Sequence, residues 1–390
     1  MLGRKSFYLA NFFSVMSYGL IMSEIGPVIG LVREDLAVSS GEIGLLFTIL
    51  SIGFIVAVIL TGYVIDRCSP RLLSIVGQCL LTVGLILFAL STSFRFSLAA
   101  YHIVGLGGGV TQVLANTNIS SIHTEKRASS ISFLHLFFGL GGLIGPLLSV
   151  LITQNDFTWR VSYLITGAFS ALVVILFIAA TFPEKSEKEV SSSMRTLELV
   201  KDRYILAIIG MTIIYVGIEL GISSWSVLYL ETNLDMKKVL ASSILSYFWI
   251  AMTFGRMLCA VISRRLKAHV FLFILSCLGL VAYGFFLTAE QPLTAGIMLT
   301  VVGLSLSGIF PILIALVGNR YPDRIGSGMG LFMASAGIGF MFVPWLIGIL
   351  ADTYSLDWGM RILLVCSAVL VGISIYIVRK TGKGYKAYQE

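Results

Sequence analysis

Long apolar runs alternate with short polar connections along almost the whole chain. Twelve of the runs are long enough to cross the hydrocarbon layer of a membrane, which takes about 20 residues of helix. They lie near residues 8–32, 41–65, 72–91, 97–119, 128–152, 160–181, 204–230, 239–263, 269–288, 293–318, 325–350 and 359–378. The pattern predicts an all-α membrane protein with twelve transmembrane helices.

The composition excludes most other classes of protein. The 390 residues are 57% hydrophobic and 12% charged, whereas soluble domains carry roughly a quarter charged residues. A net charge of +7 would suggest a nucleic-acid partner in a soluble protein. In a membrane protein the positive residues instead indicate which side of the membrane each loop faces. The five cysteines predict neither a disulfide framework nor a metal site, and no nucleophile–base pair indicates an enzyme. We expect lipid around the protein, and no metal, cofactor or nucleic acid.

Lysine and arginine are unequally divided between the two sides of the predicted spans. With the N-terminus placed inside, 20 of the 27 lie on the inner side and 6 on the outer side, while Arg256 falls within a span. Cytoplasmic loops carry the excess of these residues, so both termini are predicted to be cytoplasmic. The first apolar run lacks a small-residue cleavage site and is interpreted as a retained helix. The expected location is the plasma membrane of a bacterium or archaeon.

A polar stretch at residues 183–201 divides the chain into two halves, 1–182 and 202–390. Motifs recur between the halves at a spacing near 197 residues, allowing a residue of slip. The recurring pairs include Gly105 with Gly303, Pro146 with Pro344, and Trp159 with Trp358. Several matches near one offset indicate a duplication. They predict two pseudo-symmetric six-helix bundles, with a binding site at mid-membrane between them.

A charged loop joins the second and third predicted helices. It contains Gly62, Asp66, Arg67 and Arg71 in the order Gly-Tyr-Val-Ile-Asp-Arg-Cys-Ser-Pro-Arg. Gly62 would let two helices approach closely, and Asp66 would take a helix N-terminus or an arginine as its partner. An ordinary solvated turn is the alternative. The loop resembles the Gly-x-x-x-Asp-Arg-x-[Gly/Pro]-Arg loop of the major facilitator superfamily, which implies the fold of that family and a gating contact on the cytoplasmic side.

The first predicted helix carries Glu24 among apolar residues. A carboxylate inside a span is costly unless it is protonated, paired or hydrated. We therefore predict that Glu24 takes up and releases a proton. The alternative is a hydrated acid near the outer surface.

Glu219 is the second acid within a span. Helical spacing places Tyr215 on the same face, with Trp225 further along the helix. An acid beside aromatic side chains suits a polyol ligand, so these three residues are predicted to bind substrate. Glu219 is also a candidate for proton coupling. The alternative is an interfacial aromatic belt with an acid that packs helices.

The fourth and fifth helices supply further polar candidates. Gln112 and Asn116 are four residues apart and share one face, and His135 follows in the fifth helix. Amides can donate to and accept from sugar hydroxyls, while histidine can also titrate near neutral pH. We predict that all three contact substrate, and helix packing is the alternative for each.

Four residues are interpreted as gating or structural elements. Gly145, together with Gly141, forms a small-residue face for close helix contact. Pro146 can bend the same helix, and Pro311 indicates a bend in the tenth helix. Arg256 in the eighth helix can extend towards the membrane surface or pair with an acid.

Three segments narrow the resemblance to the fucose–galactose–glucose:proton symporter family. The matching residues are Asn116, Arg127, Leu134, His135, Phe138, Gly139, Gly141, Gly145 and Pro146, then Tyr215, Val216, Gly217, Glu219 and Trp225, and then Ile309, Phe310 and Pro311. The resemblance implies import of a neutral monosaccharide with a proton by alternating access, with Glu24 as the proton-linked group.

Two features of the fourth helix depart from that family and from the superfamily. Some members carry a second acid there, whereas this chain has Gln112 and asparagines, and the arginine motif of the superfamily is absent. Glu219 is the candidate for the missing titratable group.

We expect a monomeric symporter for protons and a sugar or similar small polar metabolite. The alternative is an efflux antiporter for amphipathic or drug-like compounds, because Gly-x-x-x-Gly-Pro in the fifth helix resembles an exporter motif. Leu147 and Leu148 follow where exporters place small residues, which favours the symporter.

Overall fold

The computed structural model describes residues 2–65, 67–122, 127–182, 201–262, 265–320 and 325–384. Asp66 and residues 183–200 of the predicted linker lie outside these ranges. The described helices are α1 (Leu2–Asp35), α2 (Ser40–Val64), α3 (Pro70–Ala89), α4 (Phe94–Ile122), α5 (Arg127–Gln154), α6 (Trp159–Ala179), α7 (Arg203–Asn233), α8 (Lys238–Ile262), α9 (Ala268–Leu287), α10 (Pro292–Ser307), α11 (Ile309–Arg320), α12 (Ile325–Thr353) and α13 (Leu356–Gly384). Twelve spans are long and apolar enough to cross a membrane, which confirms the predicted all-α membrane fold.

Local sequence signals set several helix ends. Helix α2 begins with a capping box, in which the Ser39 hydroxyl accepts from the Glu42 backbone and the Glu42 carboxylate accepts from the Ser39 backbone. Pro70 opens α3, where the missing N–H costs no hydrogen bond. The tenth span is interrupted at Gly308, and Pro311 lies in the first turn of α11. The helix in which a bend is predicted near Pro311 is therefore interrupted three residues before that proline.

The chain divides into two compact units, Met1–Val190 and Ser191–Glu390. In the first unit α1 packs on α5 and α6, α4 packs on α2 and α3, and α3 packs on α6. In the second unit the same scheme recurs, with α7 on α12 and α13, α10 on α8 and α9, and α9 on α13. The helix order and the pairings thus repeat, as a duplication predicts.

Glycine contacts show the repeat at the level of single residues. A Cβ atom added to Gly105 would lie 2.0 Å from the carbonyl oxygen of Leu50, and one added to Gly303 would lie 2.5 Å from that of Phe248. Gly105 and Gly303 are 198 residues apart, and their partners Leu50 and Phe248 are also 198 residues apart. Only glycine fits such a backbone contact, so the two bundles share this crossing.

The expectation that Gly62 brings two helices together is wrong. Among the described residues, a Cβ atom added at this position would meet nothing within 4 Å, and the residue is exposed. The described part of the charged loop instead makes local contacts. The Arg67 guanidinium stacks 4.6 Å from the centre of the Tyr63 ring, and Arg71 donates to the carbonyl oxygen of Ile178 near the end of α6.

Polar side chains also join helices within the first unit. The Gln78 amide donates to the Ser170 hydroxyl at 2.8 Å, and the Thr82 hydroxyl lies 2.7 Å from the same oxygen. The Asn118 amide donates to the Asn11 side chain at 3.0 Å. These buried pairs connect α3 with α6 and α1 with α4, so they help to hold these helices in place relative to each other.

Candidate functional site

A tight crossing of α1 and α5 positions Glu24. A Cβ atom added to Gly141 would lie 2.2 Å from the Met16 carbonyl oxygen, and one added to Gly145 would lie 2.3 Å from the Ser23 hydroxyl. The small-residue face predicted from the sequence therefore permits backbone contact. Just beyond Gly145, the Ser149 hydroxyl donates to the main-chain oxygen of Glu24 at 3.1 Å.

The Glu24 carboxylate is completely buried and faces α6. Its side chain has no solvent exposure, and the Thr166 hydroxyl donates to its two oxygens at 3.1 and 3.3 Å. Ser162, one turn earlier on α6, is a second hydroxyl partner. In the described part of the chain no cation forms an ion pair with this acid. The alternative of a hydrated acid near the outer surface is wrong.

Two tyrosines extend this polar cluster. The hydroxyls of Tyr101 on α4 and Tyr163 on α6 lie 3.4 Å apart, and both rings are buried. Each is close enough to interact electrostatically with Glu24. Sequence reasoning missed these tyrosines together with Ser162 and Thr166, because a single hydroxyl in an apolar helix is common and gives no periodic signal.

Glu219 in the second unit has a different environment. Its Oε1 atom lies 3.9 Å from Nη2 of Arg256 on α8, so the arginine pairs with an acid. The Tyr215 hydroxyl is close to both charges, but among the described residues neither this hydroxyl nor the Arg256 Nε atom forms a hydrogen bond of good geometry. The second unit therefore holds a buried ion pair with unused hydrogen-bonding capacity.

The aromatic side chains near Glu219 are packed inside the second unit. Tyr215 and Trp225 are both completely buried, and the Trp225 indole donates to the carbonyl oxygen of Pro344 at 3.0 Å. The alternative of an interfacial aromatic belt does not apply, because neither ring reaches the surface. Their predicted contact with substrate stays a prediction, and requires this packing to open.

The three polar candidates of α4 and α5 lie together. A ring nitrogen of His135 is 3.2 Å from the Asn116 side-chain oxygen, and the Asn116 amide donates to the main-chain oxygen of Gln112 at 2.7 Å. Among the described residues the buried side-chain oxygen of Gln112 has no hydrogen-bond partner. All three residues are only partly buried, so this cluster combines accessible surface with one buried, unsatisfied acceptor.

A cavity of about 340 Å³ lies elsewhere, along α8 and α10. Its lining is largely apolar and consists of Tyr247, Ile250, Ala251, Phe254, Gly255, Leu258, Thr300 and Leu304. None of the predicted substrate or proton residues contributes to it, although Arg256 is adjacent in sequence to Gly255.

Twelve apolar spans in two repeated bundles, with acids buried inside the spans, define a multi-pass membrane protein of the transporter class. Residues 7–307 match the model of the Major Facilitator Superfamily, and the chain belongs to this family. Its members are transporters, which confirms the prediction that the protein is not an enzyme.

Relatives and solved structures agree with this assignment over almost the whole chain. Protein TsgA homolog of Buchnera aphidicola (Acyrthosiphon pisum, strain Tuc7) is 24% identical, over 94% of this chain and 93% of the relative. The glucose/mannose transporter GlcP of Bacillus subtilis (strain 168) is 26% identical, over 97% and 95%. The human sodium-dependent glucose transporter 1 is 23% identical, over 87% and 73%.

The fold is similar to that of solved transporters. A bacterial homologue of the human lysosomal transporter Spinster superposes with a TM-score of 0.81 at 14% identity, covering 96% of this chain and 97% of the other. A D-xylose–proton symporter gives 0.78 at 14% identity, covering 95% and 96%. These likenesses establish the shared fold.

Proposed function

We propose that this protein is a secondary active transporter that imports a neutral sugar together with a proton. The observation that carries the proposal is Glu24, a fully buried acid in the middle of a span with no cation partner among the described residues. An uncompensated carboxylate in such a place is costly. Binding a proton removes that cost and gives the two protonation states different conformational preferences.

The position of Glu24 along α1 supports a role in mid-membrane. It lies eleven residues before Asp35, the last residue of the helix, which corresponds to about 16 Å of helix. Half of a hydrocarbon layer is about 15 Å. Because the carboxylate is sealed in the conformation described above, proton exchange belongs to another conformation of the transport cycle.

The substrate assignment is supported by the chemistry of the other polar residues. Gln112, Asn116 and His135 offer neutral donors and acceptors, which suit the hydroxyls of a sugar. In the second unit the charges of Glu219 and Arg256 balance, and the Tyr215 hydroxyl lies close to both. Such a set favours a neutral ligand over an anion or a cation.

The names of similar proteins point to the same class of substrate. One relative is a glucose/mannose transporter and another a sodium-dependent glucose transporter, and one solved neighbour is a D-xylose–proton symporter. The coupling ion differs among them, so the choice of a proton rests on Glu24 itself. We further propose a monomer in the plasma membrane with both termini in the cytoplasm.

Transport by proteoliposomes, with D-glucose as the probe, tests the proposal. We expect wild-type protein to accumulate glucose uphill when a pH gradient, inside alkaline, is imposed, and to be indifferent to a sodium gradient. Glu24→Gln should abolish the accumulation and retain glucose counterflow, because the amide mimics the protonated acid permanently.

Glu42→Gln is the matched control, since Glu42 is exposed in the capping box of α2 and glutamine also serves there. Uphill uptake that survives in Glu24→Gln would refute the proton role. Accumulation driven by a sodium gradient instead would show that the coupling ion is sodium and not the proton. A wild-type protein that shows neither accumulation nor counterflow of glucose, mannose or xylose would refute the sugar assignment.

A further inference from the structure

The side chains around Glu24 are hydroxyls from two other helices. Thr166 on α6 donates to both carboxylate oxygens, Ser162 lies one turn away on the same helix face, and Ser149 on α5 holds the main-chain oxygen. All three are buried. Only Thr166 and Ser162 contact the group that would carry the proton.

The duplicated unit shows that the fold does not need these hydroxyls. At the offset of 198 residues, Glu24 and Ser149 correspond to Ile222 and Ile347. At the same offset Ser162 and Thr166 of α6 correspond to Met360 and Leu364 of α13, so neither hydroxyl is repeated in the second unit. Ile222, Ile347 and Met360 are fully buried apolar residues.

The two units build the same helix junction from different side chains. One copy of the bundle builds this junction from apolar side chains, and such packing is often at least as stable as a buried polar group. The first copy instead keeps an acid and its hydroxyl partners together. The hydroxyls of Thr166 and Ser162 therefore accompany the acid and are not a general requirement of the six-helix bundle.

We propose that Thr166, assisted by Ser162, is a positioning residue that sets the proton affinity of Glu24. This inference rests on the proposed proton-coupled function. A hydroxyl that donates to a carboxylate interacts differently with its ionised and its protonated form, so the hydrogen bond from Thr166 links the placement of α6 to proton exchange at Glu24. Without this donor we expect Glu24 to exchange its proton at a different pH.

The other titratable groups near Glu24 do not provide this control. Tyr101 on α4 and Tyr163 on α6 face the acid and are fully buried, and Tyr18 on α1 is a further buried hydroxyl near Tyr101. The pair of Asp35 and Arg160 lies at the far end of α1. From α5 the contact is with Ser149, which does not titrate.

Infrared difference titration of the purified protein tests the inference without a substrate. The protonated carboxyl band of Glu24 is assigned as the band that disappears in Glu24→Gln. In Thr166→Val its titration midpoint should move by about one unit, as expected for the loss of one hydrogen bond to a charged group. Thr166→Ser should restore the wild-type midpoint, and the pH profile of uptake should move with the band.

Thr82→Val is the matched control. It removes a buried hydroxyl of α3 that bonds Ser170, which lies on α6 like Thr166 but one turn further from Glu24 along the helix. We expect the wild-type midpoint in this variant. Should Thr166→Val fail to fold, Ser162→Ala and Thr166→Ser report on the same site. A wild-type midpoint in Thr166→Val, with Glu24→Gln behaving as proposed, would overturn this inference alone. The absence of any band that depends on Glu24 would overturn the proposed proton role as well.

Discussion

The two units hold their buried acids in opposite electrostatic settings. Among the described residues, the hydrogen-bond partners of the Glu24 carboxylate in the first unit are hydroxyls, whereas in the second unit Glu219 lies 3.9 Å from the guanidinium of Arg256. When a buried acid has no counter-ion, each gain or loss of a proton removes or creates an uncompensated buried charge. An acid paired with arginine keeps its charge at lower cost, and its loss leaves a buried cation behind. The duplication thus separates a group suited to proton exchange from a group suited to fixed charge and hydrogen bonding.

This contrast bears on the two roles predicted for Glu219, proton coupling and substrate binding. From its depth in the membrane alone, Glu219 is as good a candidate for proton coupling as Glu24. With Arg256 beside it, we assign Glu219 to the hydrogen-bonding site of the second unit, and Glu24 to the proton. The three experiments below test this division.

The largest effect is expected from breaking the ion pair. Glu219→Gln or Arg256→Gln alone should destabilise the protein by about 2 kcal/mol, below the ~3–5 kcal/mol of a sealed pair, because one-fifth of the Arg256 side chain is exposed. Thermal unfolding in detergent measures the change. The double variant should recover most of the loss, since it leaves neither charge unpaired. Additive losses in the double variant would show that the two side chains do not act as a pair.

A somewhat smaller effect is expected at the glycine crossing next to Glu24. Gly145→Ala would place a Cβ atom 2.3 Å from the Ser23 hydroxyl and 2.8 Å from the Leu20 carbonyl oxygen. Overpacking of this kind costs about 1–3 kcal/mol, so the melting temperature should fall and α1 should shift relative to Ser149. Gly62→Ala is the control, because its Cβ would meet no atom within 4 Å. Equal melting temperatures for the two variants would contradict the close crossing.

The smallest change in stability is expected for Glu24→Gln, despite its large effect on transport. The amide keeps the shape of the side chain and its contact with Thr166, and it removes a potential buried charge. Thermal unfolding near pH 7 should differ from wild type by less than about 1 kcal/mol. A loss as large as that of Glu219→Gln would mean that Glu24 is held by a charge partner, and the contrast between the units would fail.

The sequence predicted the helices well because each span is a long apolar run bounded by charge. The exception is the tenth span, where one run became α10 and α11, and Pro311 was the local signal for that interruption. Glycine spacing also predicted the contact of α5 at Gly141 and Gly145. The same kind of argument failed for Gly62, because a glycine beside a loop need not lie at a helix crossing.

The site was less predictable, since its partners come from distant helices. Glu24 and Thr166 are 142 residues apart, and nothing in α6 distinguishes Thr166 from any other small polar residue in a membrane span. The pairing of Glu219 with Arg256 was open in the sequence, because an arginine within a span can equally extend to the surface. The aromatic ring of Trp225 predicts contact with substrate, yet its indole donates a hydrogen bond to a backbone carbonyl oxygen in the interior.

The glycine contacts between α1 and α5 also limit how the first unit can deform. Gly19 meets the backbone of Phe138, Gly141 meets Met16, and Gly145 meets Leu20, so the two helices touch main chain to main chain over nearly two turns. Sliding one along the other would drive carbonyl oxygens into each other. We therefore expect α1 and α5 to move together as one rigid pair, and a path for water to Glu24 to open on the side where α6 packs.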